Sequence, residues 1–167
     1  MTIRDFAAVD GRDFEARLLL WGREGVPMTL ILPEEESGKE KALEAHLPDV
    51  ERELQWLDQA FPTVVRAVLE EDMVSLAEDW ASSAPVAEEE TQDCYVMEDG
   101  QKVFLPITEK AFCQSVFPEG IGLSFEEGWD RPSMDLYLCC SPDYFAGHCI
   151  AVSVDRDHRV TCDGLAG

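Results

Sequence analysis

Apolar residues recur through the middle of the chain with the period of an α-helix, and this pattern constrains the fold most. A first stripe is spaced by four, three, four and three residues, and a second stripe follows Pro62. The stripes consist of Leu43, Leu47, Val50, Leu54 and Leu57, and of Val65, Leu69, Met73, Leu76 and Trp80. Each stripe predicts the buried face of a helix. Because the first stripe keeps its phase through Pro48, we expect one kinked helix or two short helices there.

Strand-like segments lie on both sides of the helical stripes. Residues 14–20 alternate in polarity, and a turn at 21–25 separates them from an apolar run at 26–32, which predicts a hairpin. Asp99-Gly100 predicts a second hairpin, because both central residues of such a turn need positive φ. Thr108 is expected to cap a short helix at 109–116. Further strands are expected at 121–126, 134–140, 149–155 and 160–162.

The order of these segments predicts the fold class. Segregated strands and helices are typical of α+β domains, and short connections favour antiparallel neighbours. We therefore expect an α+β fold with an antiparallel sheet of about five to six strands. Two to four helices are expected to pack mainly on one face of that sheet. The chain of 167 residues suits a single domain over 1–167, with an N-terminal lead-in at 1–12 and an acidic loop at 82–93.

Composition and charge exclude several classes of protein. Apolar residues make up 46% of the chain, which excludes extensive disorder. The formal net charge of −22 excludes general binding to nucleic acid backbones or anionic membranes, because those surfaces are negative as well. The longest apolar run covers only 136–140, whereas a membrane helix needs about 20 residues. The first residues lack the apolar core of a signal peptide, so we expect a cytoplasmic protein with six free thiols.

The negative charge is concentrated between residues 34 and 99, which contain 20 acidic and 4 basic side chains. Three triplets stand out within this region: Glu34-Glu35-Glu36, Glu70-Glu71-Asp72 and Glu88-Glu89-Glu90. Solvated helix faces and loops would explain them. Alternatively, the triplets belong to a docking surface for a basic protein, since complementary potentials speed association and set specificity. The sequence does not determine the oligomeric state.

One short segment combines an acid, a phenol, an imidazole and a thiol, and it supplies the candidate functional residues Asp143, Tyr144, His148 and Cys149. His148 is a candidate base and Cys149 a candidate nucleophile. Adjacent strand residues point to opposite faces, so we expect these two side chains not to meet. In the structural interpretation, which we favour, Phe145 anchors the loop, Gly147 permits a close approach and His148 hydrogen-bonds a nearby backbone group.

Established catalytic and metal-binding motifs are absent from the sequence. There is no C-x-x-C, H-x-x-x-H or H-E-x-x-H pattern, no phosphate-binding glycine loop and no nucleophile elbow. We therefore predict no cofactor, no metal and no catalytic residue. A zinc site assembled from dispersed residues, for example His148 with Cys139 or Cys162, remains an alternative. Residues 155–158 lack the glycine and glutamate of a calcium loop and predict a hairpin turn instead.

The chain resembles the bacterial family called domain of unknown function 2262. The resembling elements are Ile107-Thr108 with Phe112, residues 143–152 with Gly147-His148, a closing Gly164 or Gly167, the hairpin around Trp21, and Trp80. The sequence departs from the family pattern at Ala146, where an aromatic residue is expected, and at 94–105, which look like an insertion. The resemblance implies a small bacterial cytosolic α+β domain and supplies no catalytic residue.

These observations favour a non-enzymatic interaction domain that docks a basic partner through its acidic surface. Such a domain would be similar to immunity proteins, which neutralise a basic toxin or nuclease. The alternative is a small hydrolase or ligand-binding protein with a site around Asp143, Tyr144 and His148. A thiol-based redox or metal sensor is a third hypothesis, because the chain contains six cysteines.

Overall fold

The computed structural model describes residues 6–8, 13–33, 38–87 and 93–167. Within these ranges the chain forms four α-helices, one sheet of seven strands and a separate two-stranded hairpin. The helices are α1 (Lys39–Gln59), α2 (Phe61–Glu70), α3 (Met73–Ser82) and α4 (Glu109–Ser115). The strands are β1 (Ala7–Ala8), β2 (Asp13–Leu20), β3 (Arg23–Ile31), β4 (Cys94–Val96), β5 (Lys102–Phe104), β6 (Val116–Ser124), β7 (Ser133–Cys140), β8 (Cys149–Val154) and β9 (Val160–Ala166).

The large sheet confirms the α+β class but corrects two details of the prediction. Its strand order is β1-β2-β3-β6-β7-β8-β9, so it has seven strands rather than five or six. It is also mixed rather than purely antiparallel, because β3 pairs with β6 in parallel. All three helices of the acidic region, the β4–β5 hairpin and α4 lie between these two strands in the chain. A parallel pair needs such a long crossover, whereas short connections produce the antiparallel pairs elsewhere in the sheet.

The structure places the first apolar stripe on one helix and divides the second stripe between two helices. The first stripe forms the single helix α1, which continues through Pro48. The second stripe was expected to form one helix, but the structure splits it into α2 and α3 at Glu71 and Asp72. Asp72 adopts left-handed backbone geometry with φ of 53°, which ends the regular helix because L-residues do not continue it in that conformation.

Several local sequence signals are confirmed. The N-terminal hairpin forms from β2 and β3, and Asp99-Gly100 connects β4 and β5. Thr108 caps α4, since its hydroxyl accepts a hydrogen bond from the Ala111 amide at 3.1 Å. Residues 155–158 form the turn between β8 and β9, in which the Asp155 carboxylate accepts the Asp157 and Arg159 amides.

Burial alternates along the strands, so one face of the large sheet is covered and the other is open. The inward residues of β2, β3, β7 and β8 join one hydrophobic core with buried residues of all four helices. The uncovered sheet face, meaning the side opposite this core, presents half-buried or exposed residues. It includes Tyr137, Cys139, Cys149, Ala151 and Ser153. Among the described helices, none combines the length and apolar character needed to cross a lipid bilayer.

Candidate functional site

The β7–β8 connection, residues 141–148, holds three of the four residues singled out in the sequence, and the fourth follows it at the start of β8. Its first half is fixed to the β4–β5 hairpin through Asp99. The Asp99 carboxylate accepts the amides of Gln101 and Asp143, each at 2.9 Å, and the Gln101 side chain at 2.8 Å. Partial burial acts to raise the pKa of Asp99, but these donated hydrogen bonds hold it below its ordinary value.

Tyr144 and the neighbouring Phe145 point into the core. Tyr144 stacks on Phe112 of α4 with ring centroids 6.0 Å apart, and Phe145 meets the edge of Trp80 at 6.1 Å. Both side chains are buried. Burial raises the pKa of the Tyr144 phenol, so this group stays protonated at neutral pH. The aromatic pair therefore anchors the connection in the core.

His148 is half-buried and lies on the helical side of the sheet. Its imidazole meets the indole of Trp80 edge-on, with centroids 5.5 Å apart. Gly167 packs against the same imidazole so closely that a Cβ there would clash with Nδ1. The His148 amide donates to the Phe145 carbonyl at 3.0 Å. His148 is thus held between α3 and the last residue of the chain.

Cys149 lies on the uncovered sheet face, opposite His148, as the strand alternation predicted. Its sulfur is 2.8 Å from that of Cys139 on the adjacent strand. The four candidate residues therefore do not converge: Tyr144 is in the core, His148 is on the helical side and Cys149 is on the other side. The observed register of β7 and β8, in which Leu138 pairs with Ile150, places the two cysteines opposite each other.

Among the described residues, the cysteines and histidines do not gather into one cluster of the kind that the zinc alternative required. Cys162 is buried on the core side of the sheet, whereas Cys139 faces the uncovered side. Across the described ranges, no cluster of three or more His, Cys, Asp or Glu side chains is arranged to hold a metal ion.

Glu53 of α1 forms a buried ionic cluster that the sequence did not predict. Its side chain is only 1% exposed, and its Oε2 lies 2.5 Å from Nε2 of His158 in the β8–β9 turn. Its Oε1 accepts a hydrogen bond from Arg52 Nε at 3.2 Å and lies 3.9 Å from Arg131 Nε. Trp56 stacks on the His158 ring at 3.9 Å. Because a buried carboxylate is costly unless it is paired, this cluster ties α1 to two loops of the sheet.

A polar cleft adjoins the ionic cluster through Arg131. It has a volume of about 430 Å³ and is also lined by Asp130, Arg156 and Asp157. The guanidinium of Arg156 lies over the Trp129 ring, 4.3 Å from its centroid. The lining residues of this cleft therefore carry charges of both signs.

The structure describes one of the three acidic triplets. Glu70, Glu71 and Asp72 are exposed at the junction of α2 and α3. The triplets at 34–36 and 88–90 lie outside the described residues.

A family model described as "Uncharacterized protein conserved in bacteria (DUF2262)" matches residues 10–165. No curated protein and no solved structure matches the chain.

Proposed function

The chain belongs to the DUF2262 family of uncharacterised bacterial proteins, and from this premise we propose that it is a non-enzymatic protein-interaction domain. Its acidic helical layer, meaning the outward surfaces of α1, α2 and α3, docks a basic protein. In this role the chain would act as immunity proteins do, by binding and blocking a basic toxin or nuclease in the cytoplasm.

The charge distribution on the helical layer carries this proposal. The buried residues of α1, α2 and α3 join the core on one side of the sheet. The exposed residues of these helices therefore share the outer surface of the helical layer, which faces away from the sheet. The exposed acids of this layer are Glu40, Glu44, Asp58, Glu70, Glu71, Asp72 and Asp79, and its described exposed bases are Lys41, Arg52 and Arg66. An excess of negative side chains on one surface attracts a basic partner and orients its approach.

The alternative function, a hydrolase or ligand-binding site around Asp143, Tyr144 and His148, has less support. Tyr144 is buried in the core, and the His148 imidazole is packed against Trp80 and Gly167. A site there would need the connection to rearrange before a ligand could reach the phenol.

The proposal is tested with a charge-neutralised variant, Glu70→Gln/Glu71→Gln/Asp72→Asn. Asparagine tolerates the left-handed backbone at position 72, and Asp72 makes no side-chain cap to α3, so the fold should persist. The immobilised chain captures basic proteins from a bacterial lysate at low salt, and the captured protein is then purified. Its Kd is measured with the wild-type chain and with the variant.

Three lost ion pairs at a protein surface contribute about 1–2 kcal/mol in total, so we expect Kd to rise about 5- to 30-fold. The matched control is Glu126→Gln/Glu127→Gln/Asp130→Asn, which changes the net charge equally in the exposed β6–β7 loop. This control should change Kd by less than about 3-fold. Equal losses in the two variants would show that net charge matters and the helical layer does not; failure to capture any basic protein would also contradict the proposal.

A further inference from the structure

The two sulfur atoms of Cys139 and Cys149 are in direct contact across neighbouring strands. Cys139 is the penultimate residue of β7, and Cys149 begins β8. Their sulfur atoms lie 2.8 Å apart, and both are present as free thiols. We propose that these residues form a redox-active dithiol that converts reversibly to a cross-strand disulfide by exchange with small-molecule disulfides.

The backbone already has the geometry that a disulfide needs. Strands β7 and β8 are antiparallel, and Leu138 is paired with Ile150, so Cys139 and Cys149 are the next residues facing each other. Directly opposed residues of antiparallel strands have Cα atoms about 4.5–5.5 Å apart, within the range of about 4.4–6.8 Å seen in disulfides. Forming the bond shortens the sulfur–sulfur distance by roughly 0.8 Å, which side-chain rotation can supply.

The position of the pair on the uncovered sheet face gives a small reagent access. Both side chains are half-buried, and their flanking strand partners are Phe117 on β6 and Ala166 on β9. The neighbouring Cys140 differs, because it points into the core and burial raises its pKa to about 12. Access and proximity therefore single out one pair among the six thiols.

The surroundings of the two thiols set the order of the reaction. Burial and the neighbouring Cys149 raise the pKa of Cys139, which disfavours the Cys139 thiolate. The first attack is therefore assigned to Cys149, which passes its proton to solvent and acts as the thiolate. It attacks one sulfur of a small disulfide, forms a mixed disulfide and releases one small thiolate. Cys139 then loses its proton to solvent and attacks the Cys149 sulfur, which releases the second small thiolate. Two protein thiols are oxidised, one small disulfide is reduced to two thiols, and excess thiol reverses the reaction.

The disulfide would close a loop around the β7–β8 connection. This loop contains Asp143, Tyr144 and His148, whose backbone and rings are anchored to Asp99, α3 and α4. A disulfide between Cys139 and Cys149 on the uncovered sheet face would therefore restrict the motion of the β7–β8 connection, which crosses to the helical side of the sheet. The site is consequently a candidate for redox modification that changes the mobility of residues 141–148.

The experiment equilibrates the full chain with mixtures of reduced and oxidised glutathione, then blocks free thiols under denaturing conditions. Mass spectrometry counts the blocked thiols, and peptide mapping locates the linkage. We expect the count to fall from six to four as the mixture becomes oxidising, with Cys139 linked to Cys149. The count should return to six when excess thiol is added.

One single variant and one control test the assignment of the pair. Cys139→Ser should accumulate a glutathione adduct on Cys149, because the second thiol is missing. The control Cys113→Ser removes a half-buried thiol of α4 outside the pair, and it should still lose two free thiols on oxidation. The proposal is overturned if the wild-type chain keeps six free thiols throughout, if its linkage joins other cysteines, or if stable glutathione adducts form without an internal bond.

Discussion

Replacing Glu53 with glutamine tests whether the buried ionic cluster holds α1 onto the sheet. The change keeps the size of the side chain and an acceptor oxygen but removes the charge that His158, Arg52 and Arg131 share. A hydrogen bond to a charged group contributes about 1.5–3 kcal/mol. The side chains of His158, Arg52 and Arg131 are 24%, 49% and 41% exposed. Water can therefore replace part of the interaction that these side chains lose when the charge of Glu53 is removed.

We therefore expect Glu53→Gln to lower the free energy of unfolding by about 2 kcal/mol. For a chain of this length that corresponds to a fall in Tm of about 4–8 °C. Urea denaturation followed by circular dichroism measures the change at neutral pH. The matched control is Asp49→Asn, which removes the charge of the half-buried Asp49, the partner of Arg52 at 2.8 Å, and should cost about 0.2–1 kcal/mol. A loss for Glu53→Gln no greater than that of the control would refute this account of the cluster.

Three further predictions concern the β7–β8 connection and its anchors. Phe145→Ala should lower the free energy of unfolding by about 3–5 kcal/mol, because the ring is fully buried. Replacing the exposed Tyr137 with alanine should lower the free energy of unfolding far less in the same denaturant titration. The lowered pKa of Asp99 contributes stability above its unfolded pKa, so Asp99→Asn should destabilise the chain at pH 7, and this difference should shrink as pH falls below about 3.8. A disulfide between Cys139 and Cys149 closes a short loop and should stabilise the oxidised chain by roughly 2.8 kcal/mol over the reduced chain; equal Tm values for the two forms would contradict that.

Local periodicity predicted most elements of the fold but not how they assemble. The two hairpins, the cap at Thr108 and the β8–β9 turn depend on neighbouring residues, and the sequence predicted each of them. The parallel pairing of β3 with β6 joins segments separated by four helices and a hairpin, and no local signal encodes it. The break between α2 and α3 was hidden because apolar spacing continues in phase across Asp72.

The candidate site shows the same division. Alternation within β8 correctly separated His148 from Cys149, because that inference needs only one strand. The contact between Cys149 and Cys139 depends on the register of two strands. The ionic cluster was missed for a different reason. The apolar stripe predicted Leu54 as the buried residue between Val50 and Leu57 of α1, whereas Glu53 is the residue that is fully buried there. The available signal for the cluster was the charged residue Glu53 at helical spacing from the apolar residues Val50 and Leu57.

The salt dependence of binding tests the proposed function most directly. The Kd between the wild-type chain and its purified basic partner is measured as salt rises from about 0.1 M to about 1 M, which shortens the Debye length from about 10 Å to about 3 Å. Docking through the acidic helical layer predicts that Kd weakens about 10-fold or more over this range. It also predicts a shallower dependence for the variant neutralised at Glu70, Glu71 and Asp72. A Kd that stays constant as salt rises would contradict the electrostatic docking of this domain.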